Sequence, residues 1–219
     1  MIPYRSHQKG GRFPFLTVGF ILVNIVVFIY EISLSPQGLD QLILEHGVTP
    51  SRFEPPDLIS SLFLHGSWLH LIANMLYLWV FGRKIEQLLG LKKFLFFYFA
   101  TGIIATLVQS GVDWSSSLPQ IGASGAIAGI LGFYLRLAPR ALISVLVPIF
   151  IFWRRFILPA WAVLGFWFVL ELLQAYFSFS TPQATNVALF AHVGGFIFGL
   201  LFGPFFDKKK IPFQRKKKR

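Results

Sequence analysis

The chain has 219 residues, 55% of them hydrophobic and 13% charged, with 20 Lys and Arg against 9 Asp and Glu. A mean hydropathy of +0.64 is too high for a soluble domain of this size, whose surface would need more charge, so a bilayer is the solvent that fits. With no cysteine, a disulfide, a thiolate metal site and a cysteine nucleophile are all excluded.

Crossing the hydrocarbon core takes about 20 apolar residues in a helix. Six segments meet that requirement, roughly 14–31, 62–81, 93–111, 120–137, 157–177 and 187–206. The expected fold is therefore all-α, a polytopic bundle of six transmembrane helices. Residues 1–13 form a basic N-terminus, 14–206 the membrane domain and 207–219 a basic tail. The first span, Phe15 to Tyr30, is followed by no small-residue cleavage site, so it is expected to be retained rather than removed as a signal peptide. The connection 32–61 is the longest and carries Asp40, Glu45, Glu54 and Asp57 among prolines. Between the fourth and fifth spans, Leu142 to Trp153 is apolar but short, contains Pro148 and is flanked by Arg136, Arg140, Arg154 and Arg155. It is expected to be an interfacial hairpin returning to the face it left.

With six spans, every Lys and Arg except Arg52 falls on one face. The positive-inside rule makes that face cytoplasmic and places both termini there. Eight of the basic residues lie in Lys208 to Arg219. The tail is read as a solvated segment beside anionic headgroups rather than a nucleic-acid arm, since no folded basic domain accompanies it. The lipid bilayer is thus the expected partner, and a bacterial inner membrane the expected location.

Polar side chains inside spans are costly and mark function or the bundle interior. His70 and Asn74 lie in the second span, Ser124 in the fourth, Glu171 and Gln174 in the fifth and His192 in the sixth. At 1.5 Å per residue, His70, Ser124 and His192 all sit roughly 6–12 Å below the outer boundary. Gly125, Gly129 and Gly132 share one helix face, as do His192, Gly195 and Gly199. Small faces allow close backbone approach, and packing them is expected to bring Ser124 within hydrogen-bond reach of His192. Ser124 at a helix start can then act as nucleophile with His192 as its general base. His70 and Asn74, one turn apart, can aim donors at an oxyanion. Glu171 is the carboxylate of this layer, but its facing is not given by the sequence and it is not counted as a third member. His65 is placed at the outer edge of its span. His65 and His70 are five apart, off the i, i+4 face of a helical metal pair, so no metal and no other cofactor is expected.

At these residues the chain resembles the rhomboid family. His65-Gly-Ser-Trp-Leu-His70-Leu-Ile-Ala-Asn74 resembles its oxyanion helix, Gly122-Ala-Ser124-Gly125 its nucleophile motif, and Ala191-His192-Val-Gly-Gly195 with Gly199 its base helix. The resemblance implies an intramembrane serine protease that cleaves single-span membrane proteins with a Ser–His dyad, without metal or ATP, behind a mobile fifth span and an outer loop cap. It says nothing of oligomeric state. The alternative is a catalytically silent rhomboid-like protein that binds membrane clients. Two positions depart from the family pattern: Pro56-Asp57 stands where many members carry Trp-Arg, and Ala128 where some carry a Tyr against the histidine.

Overall fold

The computed structural model describes residues 1–7, 11–150, 152–180 and 188–206. The expected basic tail, 207–219, lies outside them. In chain order the elements are β1 (Ile2–Ser6), α1 (Phe15–Ser33), α2 (Pro36–His46), α3 (Asp57–Ser60), α4 (Trp68–Tyr77), α5 (Arg83–Leu89), α6 (Leu91–Val112), α7 (Ser124–Leu137), β2 (Leu142–Ile149), β3 (Phe152–Pro159), α8 (Ala160–Ser180) and α9 (Leu189–Phe206). A π-type turn, Leu78–Gly82, joins α4 to α5.

The protein is mostly helical. Four helices, α1, α6, α8 and α9, are long and apolar enough to cross a membrane. Many of their large apolar side chains face outward, Val26 on α1 being 65% exposed, as lipid-covered helices require. The fourth expected span, 120–137, is shorter than predicted. Helix α7 begins only at Ser124 because Gly122 takes φ +111°, a conformation L side chains avoid. Fourteen residues rise about 21 Å, and every one from Gly125 to Tyr134 is buried. A short, fully surrounded helix thus sits at the centre of the bundle. Its first residue, Ser124, lines an open space.

Glycine sets how closely the neighbours approach this central helix. A Cβ built on Gly199 would fall on the backbone of Gly129, one on Gly195 on the carbonyl of Gly125, and one on Gly132 on the carbonyl of Phe196. The α7–α9 seam is therefore backbone against backbone. Elsewhere the core is aromatic: Phe20 of α1 stacks on Tyr98 of α6 at 4.2 Å, and Phe97 meets Phe133 at 5.3 Å.

Helix α1 has no side-chain cap of its own. Glu86 of α5 supplies one from a distance, accepting from Leu16 N (2.9 Å), Thr17 N (2.7 Å) and Thr17 Oγ1 (2.7 Å). A carboxylate at a helix N-terminus satisfies orphan donors and opposes the positive dipole end.

The all-α expectation needs correction. Three strands form an antiparallel sheet in the order β1-β2-β3. Strands β2 and β3 pair from Leu142↔Pro159 to Ile149↔Phe152, and β1 adds Ile2↔Leu146 through Ser6↔Ile143. The hairpin expected to end at Trp153 continues as a paired strand through Arg154 and Arg155 to Pro159. Ile143, Ser144 and Val145 of β2 are all buried. Ser6 Oγ lies 2.8 Å from Tyr134 Oη and so ties the sheet to α7.

If the α7–α9 seam is as tight as described, Gly199→Ala will push the helices apart and destabilise the protein by roughly 1–3 kcal/mol. Thermal unfolding in detergent reads this as a lowered midpoint, and an unchanged midpoint would contradict direct backbone contact.

Candidate active site

A cavity of about 820 Å³ opens between α4, α7, α8, α9 and the loop 116–121, and Ser124, His192, His70, Asn74, Glu171, Trp167 and Gln109 all line it. The four polar residues singled out in the sequence thus share one space, although they come from three separate helices.

Ser124 is the first residue of α7, where backbone N–H groups lack helical partners. The segment before it passes directly against α4. A Cβ on Gly122 would meet the His70 ring at 2.7 Å and the Asn74 amide nitrogen at 3.7 Å. Both the backbone angle and this contact require glycine. Helix α4 is started by Ser67, whose hydroxyl accepts from His70 N at 3.2 Å, and this places His70 and Asn74 on successive turns facing Gly122.

Asn74 is held from behind. It is 7% exposed, and its Nδ2 lies 3.0 Å from His65 Nε2. His65 Nδ1 is 3.3 Å from the Phe63 carbonyl oxygen. A carbonyl only accepts, so Nδ1 carries the proton and Nε2 accepts from the Asn74 amide. The amide has a second N–H beyond that one. His65 is itself fixed through its backbone N–H, which donates to both carboxylate oxygens of Glu31 on α1 at 3.0 and 3.2 Å. His65 was expected at the outer edge of a span. Instead it is 1% exposed, because α4 begins only at Trp68 and the preceding loop folds inward.

On the other wall, His192 Nδ1 lies 2.8 Å from Glu171 Oε2 of α8. Trp167, one turn before Glu171, sets its ring 6.1 Å from the imidazole. Helix α9 is anchored above His192 by Gln109 of α6, whose Oε1 accepts from Phe190 N (2.9 Å) and Ala191 N (3.2 Å). The hydrogen bond expected between Ser124 and His192 does not form among the described residues. Both side chains line the same cavity. Glu31, Gln109 and Trp167 carry no signal in the sequence, and His65 is expected there only at a span edge. Their partners are distant in the chain, and no helical spacing links them.

A Rhomboid domain family model matches residues 52–209, most of the chain. The chain belongs to the rhomboid family. This rhomboid is an integral membrane protein. It is 27% identical over 218 residues to "Rhomboid protein 1, mitochondrial" of Saccharomyces cerevisiae, covering 94% of this chain and 56% of that protein. It is 28% identical over 188 residues to "Presenilin-associated rhomboid-like protein A, mitochondrial" of Danio rerio, covering 84% and 46%. It is 25% identical over 198 residues to "Rhomboid-like protease 3" of Toxoplasma gondii, covering 89% and 68%. The chain thus spans about half the length of the first two of these relatives.

Replacing His65 by Leu leaves the Asn74 amide and the site around it short of a buried partner. A loss of about 1–3 kcal/mol is expected, measured as a fall in the unfolding midpoint. A midpoint equal to wild type would show that the Asn74–His65 bond carries no stability.

Proposed function

We propose that the protein is an intramembrane serine endopeptidase that cleaves single-span membrane proteins, with Ser124 as nucleophile and His192 as general base. The observation that carries this is the single cavity lined by Ser124, His192, His70 and Asn74, beside a helix N-terminus, in a member of the rhomboid family.

In the proposed reaction Ser124 Oγ attacks the scissile carbonyl carbon as His192 Nε2 takes the hydroxyl proton. The C=O π pair moves to oxygen, making a tetrahedral oxyanion. Free N–H groups at the start of α7, the Asn74 amide and His70 are the donors near it. Collapse expels the amine, which takes the proton from His192, and leaves an acyl-serine. Water then repeats the sequence with His192 as base and releases the acid. Hydrogen bonds between a catalytic serine and its base commonly tighten only in the substrate complex.

The topology proposed with this function keeps six crossings, the helical run from α4 through α5 and the short α7 being the two beyond the four long helices. An open three-stranded sheet cannot sit in hydrocarbon, where an unpaired edge would be unsatisfied. The sheet is therefore assigned to the basic face, where Arg154 and Arg155 meet headgroups and both termini lie. The domain limits 14–206 follow from the same assignment. The relatives carry eukaryotic source names, two of them mitochondrial, and lend no support to the bacterial inner membrane first expected.

The test is cleavage of a model single-span substrate by purified protein in proteoliposomes. Ser124→Ala is expected to abolish turnover, and a variant as fast as wild type overturns the proposal. Asn74→Ala is expected to lower kcat by about 10²–10³-fold with little change in KM. A pure KM effect would move Asn74 from oxyanion to substrate docking. A wild-type protein that binds the substrate without cutting it would instead support the silent client-binding reading.

A further inference from the structure

We infer that Glu171 is a positioning residue for His192, completing a Ser124–His192–Glu171 relay across α7, α9 and α8. This rests on the protease reading, and it changes the dyad implied by the family resemblance into a three-residue arrangement.

Geometry is the first argument. Glu171 Oε2 is 2.8 Å from His192 Nδ1. An ionised carboxylate can only accept, so the contact is a hydrogen bond only when Nδ1 carries the proton. The neutral ring then has its lone pair on Nε2, the nitrogen that a general base must offer to Ser124. Glu171 thereby chooses the tautomer. It also limits rotation of the ring, together with Trp167 one helical turn away.

Burial is the second argument. Glu171 is 8% exposed in a helix apolar enough to cross a bilayer. A carboxylate at such a depth is expensive unless it meets a partner, and the partner here is His192. When His192 takes the Ser124 proton, the imidazolium forms directly against this carboxylate in a poorly screened setting, where opposite charges attract strongly. Glu171 holds the Nδ1–H throughout and takes no proton itself, so proton transfer stays between Oγ, Nε2 and the leaving amine. Helix α9 cannot readily swing to escape the contact, because Gln109 grips its first turn.

A contact that merely tied α8 to α9 would affect stability alone. The full-length protein is therefore tested as Glu171→Gln, which keeps size and an acceptor oxygen but removes charge, and as Glu171→Asp, which keeps charge. Glu171→Gln is expected to lower kcat by about 10²-fold, with KM and the unfolding midpoint near wild type. Glu171→Asp should recover part of that loss. In ¹⁵N-histidine NMR the wild-type His192 should show a protonated Nδ1. A Glu171→Gln kcat equal to wild type overturns the inference, as does a loss matched by a fall in folded fraction, or a wild-type His192 protonated on Nε2. If the wild type itself cleaves nothing, the protease reading falls and this inference with it, whereas an active wild type with an unaffected Glu171→Gln removes this inference alone.

Discussion

Contact between the α7 and α9 backbones at Gly125, Gly129, Gly195 and Gly199 fixes the distance between the helices that carry Ser124 and His192. Lipid supplies no hydrophobic drive for helices to associate, so close packing and hydrogen bonds must hold them. Glycine serves that end here because a Cβ on Gly195 or Gly199 would strike the α7 main chain, and one on Gly125 or Gly129 would strike the Ala105 or Thr101 side chain of α6. Ser124 sits one residue before Gly125, and His192 three before Gly195. Whatever sets the seam therefore sets the two side chains. The central helix is also too short to span the bilayer alone, which leaves the space above Ser124 for the cavity.

Around that seam, buried polar groups work as long-range fasteners. Glu86 caps α1 from α5, Gln109 caps α9 from α6, and Glu31 of α1 holds the loop before α4 by the His65 N–H. Each satisfies backbone donors at a helix start or in the adjoining loop, the places where a membrane protein otherwise leaves them unpaired. Two of these fasteners end at the cavity. Glu31 reaches Asn74 through His65, and Gln109 steadies the turn that bears His192. The site is thus supported by residues that need not touch a substrate.

Much of this was legible in the sequence because hydropathy and glycine spacing are local signals. The long spans lie within a few residues of their expected ends, and depth along the spans groups Ser124, His192 and His70, with Asn74 one turn from His70. The rest depended on partners far apart in the chain. Leu142 to Trp153 reads as a short apolar hairpin, and only the pairing of Leu142–Ile149 with Ile2–Ser6 and with Phe152–Pro159 shows it to belong to a three-stranded sheet. His65 precedes its helix, so periodicity could not tell that it turns inward. Glu171 was noticed as a carboxylate at the right depth, yet which way a side chain points on an apolar helix is set by packing. Its contact with His192 spans 21 residues and two helices.

The proposed reaction makes a definite chemical demand: the Ser124 hydroxyl must be more reactive than an ordinary serine, and His192 must be the reason. Incubation with a fluorophosphonate followed by peptide mass spectrometry measures this without any knowledge of the substrate. A covalent adduct on Ser124 that disappears in His192→Ala is the expected result. An unlabelled Ser124 in folded protein, or labelling that persists without His192, would contradict a serine activated by that histidine.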